Sequence, residues 1–128
     1  MFADLNVFKM AYAMATHAGT RQAVVSRNMA NADTPGYQAK DIAPFAAVYG
    51  QQIAETGMRA SRAGHFNADK GDQTWPEFVA DGPSDPNGNS VSLEIEMVRA
   101  VDVKRQHDRA VAIYKSSLNV LRTSLGRA

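Results

Sequence analysis

Apolar and small residues recur at Leu5, Phe8, Tyr12, Ala15, Ala18, Val25, Met29 and Ala32, with Gln22 interrupting. Steps of three and four place these side chains along one face of a helix. Residues 3–32 hold no proline and a single glycine, Gly19, and alanines at 11, 13, 15 and 18 favour helix. The pattern predicts a helix over 4–32. A second helical run follows Ser92, with no Pro or Gly before Gly126. Leu93, Met97, Ala100 and Val101 open its apolar stripe, and Val111, Tyr114, Leu118, Leu121 and Leu125 continue it with the 3-4-3-4 spacing of a coiled-coil seam. Ser92 is a candidate N-cap, Glu94 and Glu96 sit in the positive end of the helix dipole, and Gly126 is the C-cap candidate. Between the two halves of the stripe, Lys104-Arg105-Gln106-His107-Asp108-Arg109 is polar all round. A helix of this length spans about 50 Å.

Residues 38–90 read differently. They hold four of the five prolines and six of the nine glycines, and DGPSDPNGN at 81–89 is the strongest loop signal in the chain. Pro44 to Ala54 predicts a short helix with Pro44 in its first turn. Gln73 to Val79 predicts a short extended piece around Trp75, at most an edge strand because of Pro76. The expected fold is therefore mainly α: long N- and C-terminal helices packed as an antiparallel or coiled-coil pair, with an irregular middle of short helix and possible β pieces. Its divisions fall at 1–37, 38–90 and 91–128, the two ends forming one structural unit.

Two helices with one apolar stripe each cannot bury enough surface against one another to offset the entropy of ordering them. The missing burial has to come from other chains, which points to an assembly protein. Composition narrows the field further. The chain has 128 residues, a net charge of +1 and no cysteine, so disulfides and thiolate metal sites are unavailable. Residues 1–30 carry three basic residues against one acidic, 92–128 carry seven against four, and 31–91 carry four against eight. Mildly basic ends flank an acidic centre, and so small a net charge does not argue for nucleic acid. No apolar run is long enough to span a membrane, and MFADLNVFKM lacks the layout of a cleaved secretory signal.

Residue by residue, little chemistry converges. His17, His65 and His107 lack a metal spacing, and His17 and His107 read as helix-surface or subunit-contact residues. Glu94 and Glu96 are two apart and point to different sides, which suits capping rather than acid–base work. Asp69, Asp72, Asp81 and Asp85 lack the order of an EF-hand. No serine sits in a G-x-S-x-G context and no phosphate loop is present. No catalytic site, metal or cofactor is expected. Lys104, Arg105 and Arg109 read as a solvated face or as partners for a neighbour's acidic centre. Trp75 reads as a local loop anchor, or as an intersubunit contact.

The end of the first helix carries the most information. In Asn28-Met29-Ala30-Asn31-Ala32-Asp33-Thr34-Pro35-Gly36-Tyr37 the residue before proline is pushed out of the α region. Pro35 fixes φ at the second turn position and Gly36 accepts positive φ at the third, as a type II turn requires. Two readings stay open on the residues alone. One is a well-made helix stop. The other is a docking corner that presents Tyr37 and the Asn amides to neighbouring subunits.

The stretch, following Ser26-Arg27, resembles the N-terminal signature of the bacterial flagellar rod, hook and hook-associated proteins. There, an Asn-aliphatic-Ala-Asn run leads into Thr-Pro-Gly-Phe/Tyr. Asn87-Gly88-Asn89-Ser90-Val91-Ser92-Leu93-Glu94-Ile95-Glu96-Met97 is similar to the segment that opens the C-terminal helix of that family, usually Asn-Val-Asp-Leu followed by Glu-Met. Ser92 stands where the family has Asp and Ser90 where it has Asn, and both keep N-capping chemistry. The short length and Tyr37-Gln38-Ala39-Lys40-Asp41-Ile42 look most like the family's proximal basal-body rod branch.

The resemblance implies a structural, non-catalytic subunit of the periplasmic basal-body rod, exported by the flagellar apparatus without a cleaved signal. It implies helical assembly through the terminal helices, torque transmission and lining of the export channel. Implied partners are copies of itself, other rod subunits, the basal-body adaptor protein, the membrane-embedded ring protein and the export apparatus, with no nucleic acid and no membrane insertion. The assembly residues are then Asn28, Asn31, Thr34, Pro35, Gly36, Tyr37, Val91, Leu93, Glu96 and Met97. The seam comprises Leu5, Phe8, Tyr12, Val25, Met29, Val101, Val111, Tyr114, Leu118, Leu121 and Leu125. The alternative is a soluble helical-hairpin adaptor or chaperone that binds partner helices.

Overall fold

In the computed structural model, residues 2–54 and 74–126 are described. His65, Asp69, Asp72 and Gln73 lie outside them. Two long helices dominate, α1 (Phe2–Ala30) and α3 (Leu93–Ser124). Between them come β1 (Lys40–Ile42), α2 (Phe45–Ala54) and β2 (Glu77–Val79). The helices run antiparallel: Phe8 near the start of α1 meets Tyr114 near the end of α3, ring centroids 5.2 Å apart, and Met14 and His17 meet Gln106. Mainly helical, with a paired N- and C-terminal layer and a short irregular middle, the fold is the one the hydrophobic pattern predicts.

The details of the seam are different. On α3 the buried residues are Glu96, Val103 and Ala110, seven apart, with Arg99 and Gln106 half-buried between them. That stripe lies one residue away from the expected one. Met97 (57% exposed), Val101 (50%), Tyr114 and Leu125 face outward, while Val111, Leu118 and Leu121 are half-buried. The inward stripe holds polar residues because each finds at least one partner there, on α1, on β1 or within α3 itself. Gln106 donates to the Met14 carbonyl at 3.2 Å, and Arg99 reaches the Glu96 carboxylate at 2.6 Å.

α1 departs from its expected stripe for a second reason: it is buried on two sides. Ala11, Ala18 and Val25 recur every seven residues, the period of a helix pair, and Ala18 flanks the groove between the helices. Ala13 and Val24 turn the other way, into a small core with Ile42 and Trp75, against which Phe45, Val48 and Tyr49 pack. A stripe of one width cannot describe a helix wedged between two layers. Tyr12 (71% exposed), Leu5 and Met29 fall outside both faces, and Phe8 is half-buried against Tyr114.

Trp75, in the irregular segment before β2, is therefore a local anchor that buries that segment in this core, as one of its two readings expects. β2 begins directly after Pro76, as expected of an edge strand. It pairs antiparallel with β1 in the register Lys40↔Val79, Asp41↔Phe78 and Ile42↔Glu77, extended by Ala80 N–H donating to the Ala39 carbonyl at 2.8 Å. α2 starts one residue after Pro44, whose carbonyl accepts from the Ala47 and Val48 amides.

Candidate functional site

The two motif segments, more than fifty residues apart, fold onto each other. α1 ends as Asn31 turns its side-chain amide back to the Arg27 carbonyl at 2.8 Å, the same acceptor that its backbone N–H reaches at 3.2 Å. Thr34 N–H then donates to the Asn31 carbonyl at 3.0 Å and Tyr37 N–H to the Thr34 carbonyl at 3.2 Å. Gly36, at φ 73°, takes the left-handed position after Pro35 that a type II turn demands.

Asn28, fully buried, is the pivot. Its amide donates to the Lys40 carbonyl at 2.7 Å, and its oxygen accepts from Lys40 N–H at 3.1 Å and from the Tyr37 hydroxyl at 3.2 Å. One side chain thus imitates a neighbouring strand along the outer edge of β1. Asn89 does the equivalent work from the other motif. Buried as well, it donates to the Asn31 carbonyl at 2.9 Å and the Thr34 carbonyl at 2.8 Å, while its oxygen accepts from Val91 N–H at 2.8 Å. Gly36 N–H donates to the Asn87 carbonyl at 3.0 Å, Ser90 N–H to the Tyr37 carbonyl at 3.1 Å, and Ala39 N–H to Ser90 Oγ at 2.9 Å. Gly88, at φ 83°, brings its backbone so near that a Cβ there would lie 3.4 Å from Gly36 Cα.

Several expectations change accordingly. The amides of Asn28 and Asn89 serve the chain itself, so the corner does not offer them to neighbours, and Tyr37 is half-buried with its hydroxyl on Asn28. Ser90 fills its role as an acceptor for Ala39 rather than as a helix cap. Ser92 stands at the N-cap with extended geometry and makes no capping hydrogen bond, its hydroxyl lying 3.3 Å from Glu94. Val91 is half-buried, and Leu93 is exposed.

Beneath the clasp lies a charge network. Arg21 grips Asp41 with two hydrogen bonds of 2.8 and 3.0 Å, and Arg99 Nε approaches the same carboxylate at 3.5 Å. Burial alone would raise the Asp41 carboxyl. The Arg21 hydrogen bonds, the Ile42 amide and the two guanidinium charges outweigh burial and hold it below the usual carboxylate range. Glu96 is buried instead of capping α3: Oε1 takes Arg99, and Oε2 has no partner among the described residues. Arg27 and Lys40 share Glu77 at 3.0 and 3.8 Å, fastening α1 to β2. His17, also buried, joins α1 to Ala43 and Gln106, so it is neither a surface nor a subunit-contact residue. Asp41, Arg21, Arg99 and Asn89 were not singled out in the sequence because each draws its role from a partner twenty or more residues away.

Outside the clasp the surface is greasy. Leu93, Met97 and Val101 stand four apart on α3, each about half exposed, with Val98 beside them. An open groove of about 510 Å³ runs alongside, between Ala18, Gly19 and Gln22 of α1 and Ala100, Val101 and Lys104 of α3. Among the described residues no cluster of His, Asp or Glu suits a metal ion, and no helix is long and apolar enough to cross a membrane.

Comparison with known proteins includes the N-terminal half of the clasp. The profile of the family described as "Flagella basal body rod protein" matches residues 15–38, the stretch that carries Asn28, Asn31 and the Thr-Pro-Gly-Tyr turn. The chain is 35% identical over 120 residues to the flagellar basal body rod protein FlgB of Agrobacterium fabrum, covering 88% of this chain and 87% of that one. The chain belongs to the flagellar basal body rod protein family. FlgB of Salmonella typhimurium is 30% identical over 109 residues, 77% of either chain, and FlgB of Cereibacter sphaeroides 28% over 108, 83% of either. These alignments reach far beyond the profile match, so the likeness to the rod family extends over most of the chain. The family is one of structural proteins of the flagellum, and the clasp is a structural device: it sets the angle at which α1, β1 and α3 leave a common junction.

Proposed function

We propose that this chain is a structural subunit of the flagellar basal-body rod, assembling helically through α1 and α3. Heterologous contacts that do not close generate a filament, and long paired helices supply such contacts. The observation that carries this reading is the outward-facing stripe Leu93–Met97–Val101 beside the α1/α3 groove. Apolar surface of this extent on paired helices is a docking face. Small apolar residues, among them Ala11, Ala18, Val25, Val103 and Ala110, and the Gln106 contacts hold the pair together within the chain, and Leu93, Met97 and Val101 remain for neighbours.

In this reading the paired helices line the export channel and carry torque from the membrane-embedded ring toward the hook. The chain leaves the cytoplasm through the flagellar export apparatus. Its contacts are copies of itself, other rod subunits, the basal-body adaptor and the ring protein. Site-directed crosslinking of cysteines placed at Met97 and Val101 in assembled basal bodies tests the reading. Crosslinks to another subunit support it, and a face that labels freely with a water-soluble maleimide in intact rods would overturn it. Hydrogen exchange on dilute chain separates it from a helical-hairpin adaptor. A rod subunit gains protection over 2–30 and 93–124 on assembly, whereas an adaptor is already protected there alone.

A further inference from the structure

His17 occupies a place that rod assembly through the outer helix faces does not use. It is 0% exposed, at the point where α1, α3 and the middle module of β1, α2 and β2 meet. We propose that His17 is a proton-operated latch, holding the middle module on the α1/α3 pair while its ring is neutral and releasing it when the ring takes a second proton.

Hydrogen-bond chemistry sets the neutral form. Nε2 lies 2.8 Å from the Ala43 carbonyl, which can only accept, so this nitrogen carries the hydrogen. Nδ1 lies 2.8 Å from the Gln106 side-chain nitrogen. That same nitrogen donates to the Met14 carbonyl at 3.2 Å, which fixes the amide with its NH2 toward the ring. Nδ1 is therefore an acceptor. A proton added at Nδ1 sets N–H against N–H. Turning the Gln106 amide to relieve this points its oxygen at the Met14 carbonyl oxygen. Either arrangement breaks the His17–Gln106 bond while leaving the Nε2 bond to Ala43 in place, and the charged ring gains water when Trp75 and Phe45 of the module move off it.

The rings around His17 belong to the module. Trp75 stands edge-on at 4.8 Å between centroids and Phe45 at 5.7 Å. The charged groups facing the ring are Arg21 of its own helix and Asp41 of β1. α3 presents the uncharged Gln106, and α2 and the segment before β2 present Phe45 and Trp75. Burial lowers the proton affinity of His17, more than its hydrogen bond to Ala43 raises it, while Arg21 and Asp41 oppose one another. The sign follows. A histidine that titrates lower in the docked state than when released, where the value is about 6.5, favours docking fully above that pH and progressively less below it. Asp41 titrates below the usual carboxylate range, so its bridge to Arg21 persists through the window in which His17 changes.

Trp75 is the only tryptophan and touches the ring, so it reports directly. The test lowers the pH of the full chain from about 7.5 to about 5, the range of histidine switches. It follows Trp75 emission wavelength, amide exchange at 40–42 and 77–79 corrected for intrinsic pH dependence, and far-UV helicity. The expected result is a red shift of Trp75 and roughly tenfold loss of protection in both strands as the module opens, while helicity is retained. His17→Gln offers one donor and one acceptor and does not protonate, so it should remove the transition, while His65→Gln and His107→Gln should keep it. Should His17→Gln fail to fold, the 15N titration of His17 in the unaltered chain decides. Its midpoint must coincide with the Trp75 shift. Quenching of Trp75 without a wavelength change, strands that stay protected, or an unchanged transition in His17→Gln would each overturn the latch.

Discussion

The side chain of Asn28 closes on both backbone polar groups of Lys40, donating to its carbonyl at 2.7 Å and accepting from its N–H at 3.1 Å. A residue of the helix thereby completes the edge of a strand twelve positions away. Asn28→Ala leaves those part-buried groups and the Tyr37 hydroxyl without this partner. The loss should be about 1–3 kcal/mol, since water can reach some of them. Urea unfolding measures it. Asn28→Asp should be nearly as damaging, since it keeps the acceptor and loses the donor to Lys40.

Gly36 and Gly88 form the tightest approach of the clasp. Both have positive φ, so a side chain at either is strained, and at Gly88 its Cβ would also rest against the Gly36 backbone. Left-handed geometry costs an L-residue about 1–2 kcal/mol, more when β-branched. Gly36→Val should therefore lower the melting temperature of the monomer modestly while leaving its far-UV helicity intact. The larger effect should fall on swimming, because the mis-aimed corner displaces α1 relative to α3. Normal swimming in cells carrying only this variant would refute the geometric role.

The Arg21–Asp41–Arg99 network makes a pH-dependent contribution of known sign. Asp41 is held low in the folded state, so its stabilisation is present above the unfolded carboxylate value of about 4 and is lost as pH falls through the folded value. Asp41→Asn should cost roughly 3 kcal/mol at neutral pH, as removal of one partner of a buried ion pair does. It should also flatten the fall in stability below about pH 4. Denaturant midpoints at pH 7 and pH 3 for both proteins check the prediction. An equal fall in both places the acid sensitivity elsewhere.

Val101→Asp should behave in the opposite way. Its site is half exposed, so the monomer should keep its stability to within about 0.5 kcal/mol, as surface substitutions do. Rod formation should fail. Leu118→Asp, at a half-buried site, should both weaken the helix pair and block assembly, and comparing the two variants in motility plates and unfolding curves separates the effects.

How far the fold was legible follows from where each residue finds its partners. α1 and α3 were readable because propensity and the stops at Thr34-Pro35-Gly36 and Gly126 are local. The turn was readable to the level of the residue that takes positive φ. β1 was not, because a strand of three residues, Lys-Asp-Ile, has no alternation to detect and owes its edge to Asn28.

The α3 seam was misplaced by one residue for a physical reason. Periodicity finds the greasiest stripe, and here its first half, with Leu93, Met97 and Val101, is turned outward while Val111, Leu118 and Leu121 stay half-buried. Arg99 and Gln106 occupy the inner one because β1, α1 and their own helix supply partners, and Glu96 joins them through one carboxylate oxygen on Arg99. His17 was misread on the same ground, since nothing in a helix pattern announces that Ala43, Gln106 and Trp75 will meet around it.

Labour is divided in this chain: the polar clasp and a seam of small apolar residues join its halves, and the outward stripe of Leu93, Met97 and Val101 joins one chain to the next. A density map of the assembled basal body, with this chain traced, tests it most directly. The clasp of Asn28, Gly36 and Asn89 should be intact within each subunit, and Leu93, Met97 and Val101 should lie against a neighbouring chain. Those three side chains facing the open channel or solvent, with Asn28 or Asn89 bonded across a subunit boundary, would contradict it.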